Sequence, residues 1–292
     1  MRVGHVTDLH VHGHSGVSPW RFANKRLTGW ANLRFHRGAI HKTSIARSVL
    51  ESLAADGPDH VIVTGDLTNL ALEPEFELAG QLIEALGLPP ERVSVVPGNH
   101  DVYTAGSFRA RRFEGFFGKH ITSELSGSGA YPFVRLQDGI AVIGLSSAVP
   151  RLPFVAAGRI GRDQLAALGR VVAEPALRER FPIVLVHHPP YNAPSPLKAR
   201  LEGLDDADLL EAALAPLGRG LVAHGHLHRR IHRRRGPLQV VGATSASLDS
   251  ADPDRMAGYN LYEIEGGVLV RVTARVLDAP GGRFREIELP VS

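Results

Sequence analysis

The chain has 292 residues, 43% of them hydrophobic and 22% charged, which is typical of an ordinary globular protein with a sizeable core. It has no cysteine, so disulfides and thiolate chemistry are excluded and any metal must be held by nitrogen and oxygen ligands. No leader peptide is evident, and no apolar run approaches the roughly 20 residues of a membrane span, so we expect a cytoplasmic protein.

The first hundred residues alternate between predicted strands and predicted helices. Three apolar strands are expected at residues 2–7, 60–64 and 93–96, with a helix that begins near Thr43 between the first two and a helix at 75–86 before the third. Each strand runs directly into polar residues. Open α/β sheets bind ligands beyond the carboxyl ends of their strands, so these polar residues are candidates for a site.

The pattern changes after residue 131. Residues 132–136 and 140–145 predict a hairpin around Asp138-Gly139, and further strands are expected at 183–186, 220–223, 238–241, 259–265, 268–276 and 284–289. Helices are expected at 161–172 and 206–215. No repeat or linker is evident, which favours one domain over 1–292 with two sheets and an insert at about 14–42.

Five predicted strands end in groups that can bind a metal. A single His or Asp after a strand is more often a cap or turn residue, but five such ends together predict a metal site. Nitrogen and oxygen ligands with a carboxylate free to bridge suit two first-row ions, namely manganese, iron, zinc or cobalt. Two such ions can clamp a phosphoryl group, so the reaction expected is hydrolysis of a phosphate ester. The candidate residues are Asp8, His10, Asp66, Asn99, His100, His187, His188, His226 and His228.

Five sequence blocks carry a family resemblance. They are Asp8-Leu9-His10, Gly65-Asp66, Gly98-Asn99-His100-Asp101, His187-His188-Pro189-Pro190 and Gly225-His226-Leu227-His228. In order and spacing they resemble the motif blocks of the calcineurin-like metallophosphoesterases, above all the branch with class III cyclic-nucleotide phosphodiesterases and glycerophosphodiesterases. The resemblance implies an α/β fold, a four-layer α-β-β-α sandwich of two mixed β-sheets.

The resemblance also implies a division of roles. One metal would be held by Asp8, His10, Asp66 and His228, and the other by Asp66, Asn99, His187 and His226, with manganese and iron favoured. A metal-bound hydroxide would attack a phosphodiester or pyrophosphate bond, and His100 would assist the leaving group. Asp101 would either orient His100 or cap the next segment. His188 is expected to pack behind the metal ligands, while His12, His14 and His224 have structural or supporting roles.

Two basic stretches suggest anionic partners. Residues 14–42 contain six Lys or Arg residues interleaved with aromatic residues, and residues 229–235 contain five Arg residues, with no acid in either stretch. The insert at 14–42 is a lid over an anionic, partly apolar substrate, an interfacial segment that contacts the inner face of an anionic membrane, or a structural cap. The arginine run is either an anion site or a solvated loop.

The sequence does not decide between several classes of substrate. A small-molecule phosphodiester, a nucleotide or a lipid-linked pyrophosphate would fit the chemistry, the last by a loose similarity to UDP-2,3-diacylglucosamine pyrophosphatases that rests on the composition of the insert. A nuclease or a non-catalytic metal-binding scaffold ranks behind these. Nucleic acid is not expected as a partner, because the chain lacks the extra capping domain that nucleases of this superfamily carry.

Overall fold

The computed structural model describes residues 1–13, 16–33, 38–125 and 130–290. The strands are β1 Arg2–Val6, β2 His60–Val63, β3 Val93–Val95, β4 Phe133–Gln137, β5 Ile140–Gly144, β6 Phe181–Leu185, β7 Gly220–His224, β8 Ile231–Arg235, β9 Leu238–Gly242, β10 Gly258–Glu265, β11 Val268–Leu277 and β12 Phe284–Glu288. The α-helices are α1 Arg26–Asn32, α2 Gly38–Ile40, α3 Thr43–Ala55, α4 Glu73–Glu84, α5 Ala105–Arg109, α6 Arg112–Phe117, α7 Arg162–Ala173, α8 Pro175–Arg178, α9 Pro196–Glu202 and α10 Ala207–Leu214. Short 3-10 helices lie at Pro19–Phe22, Pro90–Arg92, Gly118–His120 and Ala215–Leu217.

The strands form two mixed six-stranded sheets. The first has the order β12-β11-β10-β1-β2-β3 and the second the order β4-β5-β6-β7-β9-β8. In the first sheet β1, β2 and β3 are parallel, and in the second β5, β6, β7 and β9 are parallel. The parallel strands in the middle of each sheet place their carboxyl ends, and hence the polar residues that follow them, at one edge of that sheet.

Alternation along the strands produces the layers. In β5, Ile140 and Val142 belong to the apolar cluster shared by both sheets, whereas Ala141 and Ile143 belong to the cluster that includes Leu168 of α7. Because successive strand side chains point to opposite faces, one face of the second sheet packs on the first sheet and the other packs on helices. The first sheet is covered in the same way by α3 and α4. The predicted four-layer sandwich is confirmed.

Most of the predicted elements are confirmed. The hairpin of β4 and β5 closes through Asp138-Gly139, with Gln137 opposite Ile140 and Gly139 at a φ of 83°, a conformation in which glycine is the least strained residue. The prediction of a solvated loop at residues 229–235 is wrong for residues 231–235. They form β8, which pairs antiparallel with β9. Across the described residues, no helix combines the length and the apolar character needed to cross a bilayer.

The insert packs against the start of α4 and the segment after β9. The basic residues of its described part make ion pairs, hydrogen bonds or a ring contact with other parts of the protein. Arg21 pairs with Glu73, Lys42 pairs with Asp249, Arg26 donates to the carbonyls of Leu70 and Ala71, and Lys25 lies over the ring of Tyr103. Six residues of the insert fall outside the described part of the chain, namely His14, Ser15, Arg34, Phe35, His36 and Arg37.

Candidate metal centre

An unusual backbone marks the loops at the strand ends. Non-glycine residues rarely adopt a positive φ, because this backbone conformation costs about 1–2 kcal/mol per residue. Residues in such strained conformations cluster at functional sites. Of the eight such residues in the described ranges, five are predicted metal ligands. They are Asp8 (φ 54°), His10 (44°), Asp66 (52°), His226 (68°) and His228 (47°). The strain therefore falls on the loops that carry the candidate site.

Two glycines allow these loops to approach each other. A Cβ at Gly98 would lie 2.2 Å from Asp66 Oδ1, and a Cβ at Gly225 would lie 2.1 Å from Thr7 Oγ1 and 2.5 Å from Asp8 Oδ2. Real Cβ atoms are not found this close to other heavy atoms, so a side chain at either position would separate the loops. The glycines of the sequence blocks are thus needed for contact between the strand ends.

The first half of the site is formed by Asp8, His10 and His228. Asp8 Oδ1 lies 3.0 Å from His228 Nε2 and 3.6 Å from His10 Nε2, and the two Nε2 atoms are 3.3 Å apart. The other carboxylate oxygen, Oδ2, accepts hydrogen bonds from the Thr7 hydroxyl and the His226 N–H. Asp8 is therefore held by one oxygen and presents the other to the imidazoles.

The second half contains His187, Asn99 and His226. His187 donates from Nδ1 to the Thr64 carbonyl at 2.7 Å, so its Nε2 is the nitrogen that faces Asn99 Oδ1 at 3.2 Å. Such a hydrogen bond fixes the tautomer and orientation of a metal-ligating histidine. His226 lies with its ring centroid 5.2 Å from that of His187 and donates from Nε2 to the Glu202 carbonyl, so Nδ1 is the nitrogen left for a metal.

Asp66 lies between the two halves. Its Oδ1 accepts the His100 N–H at 2.7 Å, while its Oδ2 is 3.3 Å from His187 Nε2 and 3.8 Å from His10 Nε2. Asp8, Asp66 and His187 each place one ligand atom within 4.8 Å of the other two, and all three residues are buried. A donor set of two buried carboxylates and several imidazoles fits a pair of first-row metal ions.

Electrostatics keep the two carboxylates ionised. Burial would raise the pKa of Asp66, but His187 and His100 outweigh it and hold this pKa well below its usual range. His228 and His10 do the same for the pKa of Asp8. Burial lowers the pKa of His187, yet the Asp66 and Asp8 carboxylates raise it to about 9. The carboxylates and the His187 imidazole stabilise each other's charged forms, and a cation bound there would take the place of the imidazole proton.

His100 and Asp101 occupy different positions. His100 lines a cavity of about 440 Å³ together with Asp66 and Asn99, and its Nδ1 donates to the Asn69 carbonyl at 2.7 Å. Asp101 is fully buried, and its carboxylate accepts hydrogen bonds from the backbone N–H groups of Leu67, Thr68 and Gly98. Asp101 thus joins the loop after β2 to the loop after β3.

The remaining histidines that the sequence singled out have partners of their own. His188 is buried, donates from Nε2 to the Ala156 carbonyl at 2.8 Å and places Nδ1 2.7 Å from Ser147 Oγ. His224 lies 3.0 Å from the Gly225 carbonyl through Nδ1. His12 donates its backbone N–H to Thr43 Oγ1.

Three residues near the site were missed by the sequence analysis. The His41 ring lies 4.6 Å from that of His10 and 5.3 Å from that of His228. Tyr103 stacks on His100 with the ring centroids 5.5 Å apart, and Lys25 lies 4.4 Å from the Tyr103 centroid. All three come from segments outside the five blocks. A signal existed only for Tyr103, which closely follows His100 along the chain.

Comparison with known proteins agrees with this geometry. The family model for calcineurin-like phosphoesterases matches residues 1–230. The chain belongs to the calcineurin-like phosphoesterase family. It is therefore a metal-dependent phosphoric ester hydrolase, as the motif blocks predicted.

Individual relatives of this phosphoesterase are distant. A probable cyclic nucleotide phosphodiesterase from Synechococcus sp. is 26% identical over 230 residues, which is 78% of this chain and 80% of that protein. A dimetal phosphatase from Danio rerio has a similar structure, with a TM-score of 0.61 at 12% identity over 100% of this chain and 99% of the other. A purple acid phosphatase from yellow lupin gives a TM-score of 0.62 at 10% identity, covering 98% of this chain and 52% of the other. At such identities the structural likeness shows the fold alone.

Proposed function

We propose that this phosphoesterase hydrolyses a phosphodiester or pyrophosphate bond of a small anionic substrate at a centre of two metal ions. The observation that carries the proposal is the position of Asp66 Oδ2, 3.8 Å from His10 Nε2 and 3.3 Å from His187 Nε2. One carboxylate oxygen therefore stands between two groups of buried ligand atoms, as a bridging ligand must.

Each ion would have its own set of donors. Asp8, His10, Asp66 and His228 would hold the first ion, and Asp66, Asn99, His187 and His226 would hold the second. Nitrogen and oxygen donors suit manganese, iron, zinc or cobalt, and we favour manganese and iron. When bound, two such ions would polarise the phosphate and lower the pKa of a coordinated water.

His100 would assist the leaving group. Because Nδ1 donates to the Asn69 carbonyl, a protonated His100 donates its second proton from Nε2, and stacking on Tyr103 restricts the orientation of the ring. Asp101 would support this residue indirectly, since it fixes the loop of Gly98 through hydrogen bonds to the backbone. It would be a positioning residue rather than one that touches the substrate.

The cavity over the site favours a small anionic substrate. Its volume of about 440 Å³ lies within the usual range of small-molecule pockets. Lys198, Arg229 and Arg255 line it together with the site residues and bring positive charge to its wall. The likeness to the Synechococcus protein supports a nucleotide phosphodiester as the first substrate class to test. We further propose that residues 1–292 work as one domain, because one apolar cluster includes residues of both sheets.

Hydrolysis assays with defined metal content test this proposal. Protein reconstituted with Mn²⁺ should cleave bis(p-nitrophenyl) phosphate, and it should cleave at least one compound from a panel of cyclic nucleotides and nucleotide diphosphates. Removal of the metal with a chelator should abolish turnover. A preparation that holds two ions per chain and cleaves none of these compounds would favour the scaffold alternative.

The exposed apolar residues of the insert favour a second candidate, in which the substrate is a lipid-linked pyrophosphate at a membrane surface. Trp20 is 85% exposed, Leu27 56% and Trp30 40%. Exposed aromatic side chains of this kind bind at the interface of a bilayer. The competing structural cap is supported by the engagement of Arg21, Lys25, Arg26 and Lys42 within the protein, which reduces the positive charge available to anionic lipid.

Vesicle sedimentation distinguishes the lid from the cap. The lid predicts that the wild-type chain sediments with phosphatidylglycerol vesicles and that Trp20→Ser combined with Trp30→Ser abolishes this binding. Phe154→Ser is the matched control, since Phe154 is 88% exposed and lies outside the insert. Absence of binding by the wild type, or equal losses in the variant and the control, would leave the cap as the role of the insert.

A further inference from the structure

A third buried histidine lies against the first half of the metal site. His41 is 2% exposed, and one of its ring nitrogens lies within 4.8 Å of ring nitrogens of both His10 and His228. The three rings meet edge to face at centroid distances of 4.6 to 5.3 Å. These three buried imidazoles thus form a group of nitrogen donors that could hold one metal ion.

Backbone pairing fixes the position of His41. His41 forms an antiparallel bridge with Leu248, the Lys42 N–H donates to the Ser247 carbonyl at 2.9 Å, and the Asp249 N–H donates to the Ile40 carbonyl at 2.7 Å. The end of the insert is thereby joined to the segment that follows β9. His41 is consequently held by the fold, and its approach to the site does not depend on a free loop.

From this geometry we propose that His41 is a further metal ligand, added to Asp8, His10, Asp66 and His228 at the first ion. The inference rests on the proposed dinuclear centre and deepens it. His41 Nδ1 lies 2.8 Å from Ser247 Oγ, and the Ser247 hydroxyl lies 3.4 Å from the Asp8 carbonyl, to which it donates. In the tautomer in which the Ser247 oxygen accepts the proton of Nδ1, Nε2 carries the lone pair with which His41 would bind the metal.

This ligand would give the insert a function in the centre itself. With His41 the first ion has five protein ligands, whereas the second ion keeps four. The first ion would therefore be the more tightly bound and would have fewer positions for water or substrate. The insert would stabilise metal binding through its last residues, whatever its exposed aromatic residues contact.

Metal titration of the intact chain tests the role of His41. His41→Gln keeps a side chain that can bond to Ser247 but removes the imidazole, and we expect at least a tenfold loss of affinity for the first Mn²⁺ ion. His232→Gln is the control, because His232 is also buried and bonded, to the Leu289 carbonyl and Gln239, but lies outside the site. Affinity is measured by calorimetry and metal content by elemental analysis.

The outcomes separate this inference from the proposed function. A wild-type chain that binds no Mn²⁺ would overturn both. Two ions in the wild type and an unchanged affinity in His41→Gln would overturn the role of His41 alone, whereas loss in His41→Gln with none in His232→Gln would support it.

A second measurement uses the wild-type chain and does not depend on the folding of a variant. Anomalous scattering from Zn²⁺-loaded crystals should place an ion about 2.0–2.1 Å from a ring nitrogen of His41. An ion bound by His10 and His228 but out of bonding distance of His41 would overturn the assignment.

Discussion

Replacing Asp66 by Asn should separate metal binding from proton transfer. The amide retains an oxygen that can accept the His100 N–H, which is 2.7 Å from Oδ1, so the loop after β3 keeps its hydrogen bond. The substitution removes the negative charge that lies 3.3 Å from His187 Nε2 and 3.8 Å from His10 Nε2. Because one oxygen serves both halves of the site, both ions should lose a ligand at once.

The two variants should differ in how much metal affinity and how much turnover they lose. Asp66→Asn should weaken metal binding by about a hundredfold or more, which corresponds to about 2.7 kcal/mol. His100→Ala removes a group that holds no metal in our assignment. It should leave two ions bound and lower kcat by about 10² to 10⁴, the usual contribution of a positioned proton donor.

Two measurements on the same preparations of both variants test these expectations. Elemental analysis after dialysis against a fixed Mn²⁺ concentration gives ions per chain, and hydrolysis of bis(p-nitrophenyl) phosphate at saturating Mn²⁺ gives kcat. Equal metal loss in the two variants would refute the role of His100. Two tightly bound ions in Asp66→Asn would refute the bridging carboxylate and with it the central argument for the proposed function.

Three further predictions concern the contact between the loops of the site, the stability of the fold and the metal dependence of hydrolysis. Gly98→Ala should reduce Mn²⁺ affinity at least tenfold without removing a ligand, because its Cβ would lie 2.2 Å from Asp66 Oδ1. Calorimetry measures this affinity, and an unchanged value would show that the loops after β2 and β3 can separate without cost. Asp56→Asn should lower the free energy of unfolding by about 1–3 kcal/mol near pH 7, since Asp56 accepts hydrogen bonds from Arg275 and Tyr259. Burial would raise the pKa of Asp56, but these bonds lower it, so in urea titrations the difference from wild type should be full above about pH 4 and vanish as pH falls through the folded pKa. Chelation followed by Mn²⁺ should abolish and then restore hydrolysis, and activity that survives chelation would contradict metal dependence.

The elements of the fold followed from local patterns. Runs of branched apolar residues predicted β2 and β6, helical spacing predicted α3 and α4, and Asp138-Gly139 predicted the hairpin turn. Local patterns failed at residues 231–235, where four polar residues form an edge strand. Pairing with β9, which the local pattern does not report, establishes that strand. The order of strands within each sheet was likewise undetermined, because it depends on pairings such as β1 with β10 that join distant parts of the chain.

The sequence by itself determined the chemistry of the site. Asp8, Asp66 and His187 each follow a predicted strand directly, and strand ends converge in this class of fold, so side-chain type and position were sufficient to predict a metal centre. Only the tertiary structure decided which oxygen of Asp66 faces both halves, which nitrogen of His187 faces Asn99, and that His41 lies beside His10 and His228. The physical reason is distance along the chain: His41 is placed by pairing with Leu248, more than 200 residues away, and no local pattern can report such a contact.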